Sequence, residues 1–393
     1  MSWIVEREMS RTPIPRSPAS RVMLFTKQLD PAPCGGRDML SKLNHDALAS
    51  LFGERLMVFE LPPARPASPR EIFDTFRGHI DGLTAKTIDD AINHIQHKNV
   101  GQVFVDGSNL GGFVAVLKRR LKDVEVTSFF HNVEARFFWG ALATAKTPRA
   151  LVVFLANFFA ERKAARLSDK RICLSERDSR LLKYLYGKGA THIAPIALED
   201  KLPDATIAPP PVDSEPFALF VGGNFYANRD GISWFVQHVA PRVNLKICIV
   251  GKGMEDLLTQ LEIPGRVEVI GTVENLGDWY RRALFVIAPI FDGSGMKTKV
   301  AEALMHGKKV IGTPEAFSGY ERVAARAGWC CSSPAEFVSA INAACSTITL
   351  SFDPELRLLY EEYFSFSAAT ARLAFALGEA EILERGNPTC SEI

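Results

Sequence analysis

The sequence has almost no net charge. Its 46 basic and 45 acidic side chains leave +1, whereas a nucleic-acid binder carries a basic excess, so no nucleic-acid partner is expected. Cysteine is sparse and unpatterned. The seven residues, Cys34, Cys173, Cys248, Cys330, Cys331, Cys345 and Cys390, include no Cys-x-x-Cys pair, which excludes a zinc ribbon or redox motif. An odd count without a framework fits a reducing cytoplasm, and Cys173 and Cys248 read as small hydrophobes of buried strands. No Asp-x-Asp element and no His/Cys/Asp cluster at ligand spacing occurs, so no metal is expected. Residues 1–20 are polar, with Pro13, Pro15 and Pro18 and no apolar signal core; they read as a flexible N-terminal arm.

Long apolar runs are also missing. None reaches the roughly 20 residues that span a bilayer. The longest candidate, ALVVFLANFFA at 150–160, is flanked by Lys146, Arg149, Arg162, Lys163 and Arg166. Such a segment is either a buried core helix or an interfacial one. The second option makes peripheral contact with the inner face of the cytoplasmic membrane an open expectation.

What is present fits a soluble α/β enzyme. Apolar residues make up 47 % of 393, enough for two sizeable cores at roughly 150 residues per domain. Residues 21–26 form an apolar strand before the glycine turn DPAPCGGRD, and Leu40, Leu43, Ala47, Leu48 and Leu51 follow at helical spacing. Strands are read at 56–61, 103–106, 124–130 and 171–175, with helices at 88–97 and 113–121. The segment 203–216 carries Pro203, Pro209, Pro210, Pro211 and Pro216 and reads as a linker. After it the alternation restarts. Strands at 218–221, 246–250, 267–270, 284–289 and 309–312 alternate with helices at 232–239, 276–283 and 297–305. The pattern predicts two doubly wound Rossmann-like domains facing a cleft: 21–205, joined by C-terminal helices 355–385, and 206–354.

The densest chemistry lies at 288–312, APIFDGSGMKTKVAEALMHGKKVIG. A strand runs through a glycine loop into a helix N-terminus, an anion-binding arrangement. Lys297, in the first turn, opposes the helix dipole, and a bound diphosphate would offset that. Glu302 can accept two hydrogen bonds from a ribose diol. Taken singly, Lys297 and Lys299 read equally as solvated lysines and Glu302 as an exposed helix acid; together they read as a site. His131 and Asp106 stand at strand ends, where ligands bind, though Asp106 before Gly107 also reads as a turn residue.

These residues carry a resemblance. G-S-G-x-K-x-K-V-x-E-A-L-x-x-G-K-x-V-I at 293–311 is similar to the donor-site signature of family 4 retaining glycosyltransferases of fold type B, above all the subgroup of bacterial polysaccharide assembly. FVGGNFYANRDGISWF at 220–235, IVGKGM, VIGTVENLGDWYRRALFVIAP, the GGR loop, HNVEARFF at 131–138 and CLSERD at 173–178 resemble further segments of it. The resemblance spans roughly residues 21–340 and implies a metal-independent transfer from a nucleotide sugar, UDP- or GDP-linked, to a glycan or lipid-linked acceptor, with no cofactor. It implies that Glu302 holds the ribose, that Gly295, Met296 and Lys297 lie by the diphosphate, and that Val273 holds the base through its backbone. Gly35 and Gly36 would face the diphosphate and acceptor, and His131 the transferred sugar. Gly223, Asn224 and Lys252 join the expected donor-binding set. The sequence departs from the family at Ser294, where many members carry a glutamate, and in lacking an Arg/Lys pair after residue 221; only Arg229 is near. Two rival readings remain: a same-fold nucleotide-sugar epimerase or hydrolase, and a non-catalytic partner subunit.

Overall fold

The computed structural model describes residues 20–31, 36–63, 75, 76, 78–202, 215–293 and 295–379. Apart from Ser20, the expected arm lies outside the described residues. So do residues 203–214 of the expected linker, residues 380–385 of the C-terminal segment, and the site candidates Gly35 and Ser294.

The first unit contains β1 (Arg21–Lys27), α1 (Gly36–Phe52), β2 (Leu56–Leu61), α2 (Ala85–His97), β3 (Val100–Asp106), α3 (Gly111–Arg120), β4 (Glu125–Phe130), α4 (Glu134–Ala145), α5 (Pro148–Leu167), β5 (Lys170–Cys173), α6 (Glu176–Tyr186) and β6 (His192–Ile193). The sheet is parallel, in the order β2-β1-β3-β4-β5-β6. Strands covered on both faces read as continuous apolar runs, which is why β1 and β3 were legible.

The second unit contains β7 (Phe217–Val221), α7 (Tyr226–His238), β8 (Lys246–Val250), β9 (Val267–Gly271), α8 (Leu276–Arg282), β10 (Phe285–Ala288), α9 (Thr298–Met305), β11 (Val310–Gly312), β12 (Gly328–Cys330) and α10 (Pro334–Thr347). Its parallel order is β12-β11-β10-β7-β8-β9. The direction of winding reverses between β10 and β7. The loops leaving those two strands, at 222–225 and 289–297, therefore open a crevice at their carboxyl ends. The corresponding reversal in the first sheet lies between β1 and β3.

α11 (Pro354–Tyr363) and α12 (Phe366–Leu377) cross back to the first unit. The Tyr360 hydroxyl donates to Leu198 O at 2.8 Å, and Leu198 N donates to Phe364 O at 2.9 Å. Arg55, after α1, reaches the Glu379 carboxylate at 3.4 Å. This is the expected architecture of two Rossmann-like units with a returning C-terminal helix.

Three local readings change. α7 begins at Tyr226 rather than at 232. Asn228, Asp230 and Gly231, which look like turn formers, are helical. Gly231 is needed for close approach, because a Cβ there would stand 1.8 Å from Pro289 O. Lys297 is the N-cap of α9, with extended backbone, and not a first-turn residue. Finally, α5 is neither wholly core nor wholly interfacial. Ala156, Asn157, Ala160, Glu161 and Ala164 are buried, while Leu151, Phe159 and Leu167 are exposed. Among the described residues no helix is long and apolar enough to cross a membrane.

Candidate active site

On the first-unit side, three strand ends converge on one carboxylate. Asp106 Oδ1 accepts from Asn44 Nδ2 at 2.8 Å and lies 3.0 Å from His131 Nε2, and Oδ2 accepts from Thr26 Oγ1 at 3.1 Å. Burial works to raise this carboxyl, but the charge and hydrogen bond of His131, aided by Ser41 and Asn44, outweigh it and hold Asp106 well below the usual carboxylate range. His131 is buried, and its Nδ1 has no partner among the described residues. A buried polar atom without a partner is costly, so this face of the ring is suited to a ligand. Asp106 is thus bonded into this buried cluster rather than only a turn residue.

The helix after His131 is held by a carboxylate from another helix, with no motif of its own in the sequence. Glu161, buried on α5, accepts from Glu134 N at 2.9 Å, Ala135 N at 3.1 Å, Ser108 Oγ at 2.9 Å and the Tyr186 hydroxyl at 2.8 Å. It satisfies first-turn N–H groups of α4, which no N-cap side chain covers. Burial, with Glu134 nearby, pushes Glu161 up to about 7. Glu161 is the only acid of α5 and directly follows its apolar run, the one local signal that marks it.

On the second-unit side, the glycine loop after β10 leads into α9. Gly295 has φ +69°, a left-handed conformation that favours glycine, and a Cβ there would lie 3.5 Å from His131 O. The two units therefore meet where the loop faces His131. Met296 is buried, and its side chain packs beneath Gly319. Lys297 Nζ donates to Gly295 O at 2.9 Å and to Glu315 Oε1 at 3.0 Å. Burial lowers the Lys297 amine, only partly offset by Glu315. Arg177 and Arg136 also reach Glu315, at 3.0 and 3.2 Å. Both arginines lie in the segments HNVEARFF and CLSERD, but no local pattern in the sequence marks either of them, or Glu315, as a partner of Lys297.

The loop after β7 is braced from below. Lys299, which reads from sequence as a solvated lysine, is buried. Its Nζ donates to Asn228 Oδ1 at 2.9 Å and stands 4.5 Å from the centre of the Phe220 ring. Asn228 Nδ2 in turn donates to Gly223 O at 3.0 Å. Burial pushes Lys299 down to about 7. Asn224 N donates to Lys252 O at 2.9 Å; Lys252 joins the loop through its backbone, and its side chain is exposed.

Glu302, one turn along α9 from Lys299, stands at a cavity of about 520 Å³ between the units. Glu274, Asn275, Gly277, Tyr280 and His306 line it from the second unit, and Met39, Lys42, Leu43 and Leu198 from the first. The half-buried Val273 immediately precedes that wall. Gly36 opens α1, with open space around its Cα. Another cavity of about 540 Å³, beside His192, Arg322 and Arg372, contains none of the expected residues. Among the described residues no group of three His, Cys, Asp or Glu side chains is placed to hold a metal.

Residues 215–347 match the model of a family described as Glycosyl transferases group 1. No curated protein matches the chain. Among solved structures, a sucrose-phosphate synthase from Thermosynechococcus elongatus is 15 % identical with TM-score 0.67, over 94 % of this chain and 100 % of that one. HepE of Anabaena, in complex with UDP, is 13 % identical with TM-score 0.62, over 91 % and 99 %. The lipopolysaccharide outer core galactosyltransferase WaaB, in its apo form, is 13 % identical with TM-score 0.63, over 91 % and 99 %. At such identities these likenesses concern the fold, which is glycosyltransferase type B.

Proposed function

We propose that the chain is a retaining glycosyltransferase that moves a sugar from a UDP- or GDP-linked donor to a glycan or lipid-linked acceptor in polysaccharide assembly, without a metal. The observation that carries this reading is the Glu302-lined cavity, continuous in chain with a glycine loop that faces the buried His131–Asp106 pair. The group 1 match over the second unit supports it, as does the likeness to a fold relative that is seen with UDP. In this proposal Glu302 takes the ribose diol and the wall from Val273 to Gly277 takes the base. The amides from Gly295 into α9, with Lys297, take the charge of the leaving diphosphate. His131 faces the transferred sugar, and closure of the two units excludes water.

The acceptor side bears on where the reaction runs. α4 and α5 expose Trp139 (60 %), Leu151 and Phe159, with Lys146, Arg149 and Arg162 exposed nearby. An aromatic–basic surface of this kind suits an anionic bilayer, where a lipid-linked acceptor would reside.

The test is a thermal-shift screen of the full chain against UDP-, GDP-, ADP- and CMP-sugars with EDTA present. A ligand at about 100 times its dissociation constant stabilises by about 2.7 kcal/mol. One nucleotide hit that Glu302→Ala abolishes supports the reading and names the base. No hit favours a non-catalytic partner subunit, and donor cleavage without an acceptor favours a hydrolase.

A further inference from the structure

Three cations from the two units converge on Glu315, in the loop after β11. Lys297 Nζ is 3.0 Å from Oε1, Arg177 Nη1 is 3.0 Å from both oxygens, and Arg136 Nη2 is 3.2 Å from Oε2. Lys297 and Glu315 belong to the second unit, Arg136 and Arg177 to the first. The Lys297, Glu315 and Arg177 side chains are 13, 15 and 20 % exposed and that of Arg136 is 33 % exposed, so the first three are largely shielded from the solvent that would screen a surface pair, while Arg136 lies at the rim. Among the described residues, the other acid paired with a cation of this cluster is Asp178, 3.4 Å from Arg177 Nε. Positive charge is in surplus, and Arg177 Nε makes no hydrogen bond among the described residues. Lys297 Nζ and Arg177 Nη2 also lie 2.9 and 3.5 Å from Gly295 O, so the cluster touches the glycine loop itself.

The other lysines and arginine expected near a phosphate are engaged or remote. Lys299 is bonded to Asn228 against Phe220, Arg229 is an exposed pair with Asp230, and Lys252 is exposed. Burying surplus cations without a counter-ion is costly. The guanidinium fork that accepts a carboxylate accepts a phosphate in the same way. We propose that Arg136, Arg177 and Lys297 form an oxyanion site spanning the two units, that Glu315 occupies it as an internal ligand, and that a substrate phosphate displaces Glu315. The inference rests on the glycosyl-transfer reading. The phosphate belongs either to the donor's diphosphate or to a phosphorylated acceptor.

The test is calorimetric titration of the full chain with inorganic pyrophosphate. Glu315→Gln keeps the side-chain shape and removes the competing charge; it should tighten pyrophosphate binding about tenfold. Adding Arg177→Gln should cancel that gain. Unchanged or weaker binding in a Glu315→Gln chain that still unfolds cooperatively overturns the proposal. Should that variant not fold, Arg136→Gln and Arg177→Gln in the native chain replace it; each should weaken pyrophosphate binding, and no loss in either overturns the proposal. A gain abolished by saturating UDP or GDP assigns the site to the donor, and one that persists assigns it to the acceptor. Nucleotide-sugar binding without any gain retains the transferase and rejects the site. A gain without any nucleotide binding does the reverse.

Discussion

The Tyr280 hydroxyl donates to Glu302 Oε2 at 2.7 Å, on the wall of the inter-unit cavity. The same ring lies parallel to His306, with centroids 4.9 Å apart. Burial lowers His306 to about 4, so at neutral pH Tyr280 rests on an uncharged ring. The tyrosine is fixed on its face and at its tip, and it orients the carboxylate that we propose takes the ribose.

Tyr280→Phe should therefore weaken binding of the nucleotide that the screen identifies. Losing one hydrogen bond to a charged group costs about 1.5 kcal/mol, roughly tenfold in Kd. Calorimetry checks this, and an unchanged Kd with a native Tm would remove Tyr280 from the donor site.

Asp106→Asn should destabilise the chain by about 3 kcal/mol, the scale for breaking a buried charge pair, measured by urea unfolding near neutral pH. The Asp106 carboxyl is held below its ordinary value of 3.8 in the folded state. Its stabilisation is therefore fully present above that value and is lost as pH falls through the folded one. The gap between native and variant should narrow below about pH 4. A gap that stays constant into acid would show that His131 does not favour the ionised carboxylate.

Lys299 titrates the other way. Its folded amine is lowered from 10.5 to about 7 by burial. Below about 7 both folded and unfolded chains carry the proton, and the burial cost is present in full. Between about 7 and 10.5 only the unfolded chain keeps it, so stability rises with pH. Lys299→Met should remove on the order of 5 kcal/mol of that rise. Lys308, lowered to about 8, keeps the variant's curve from becoming flat. Parallel stability curves for the two proteins would place a charge-compensating partner next to Lys299.

Trp139→Asp should abolish co-sedimentation with vesicles rich in anionic lipid while leaving nucleotide binding unchanged, because the side chain is exposed on α4 and an interfacial tryptophan contributes through apolar burial. Equal sedimentation of variant and native chain would dismiss this surface as the membrane contact.

Legibility followed periodicity. KICIV and LFVIAP were readable as strands because a parallel strand covered on both faces needs a continuous apolar run. The glycine loop at 293–295 stood out by composition. The start of α7 is hidden in the sequence because Asn228, Asp230 and Gly231 look like turn formers, and the reason a glycine stands inside this helix is the Pro289 carbonyl from another loop, which leaves no room for a Cβ. Lys299 read as a solvated lysine because burial of one side chain is not written in its neighbours. Short strands such as β6 and β12 carry too few residues to show an alternation.

Two α/β series and the glycine loops at strand ends are legible along the chain, because hydrophobic period and backbone freedom are local properties. Which charges meet depends on the folded arrangement. Arg177 and Glu315 stand 138 residues apart in the chain and 3.0 Å apart in space, and His131 reaches Asp106 across 25 residues. Such pairs are set by sheet order and by the approach of the two units, and electrostatic interaction depends on distance and burial rather than on sequence separation.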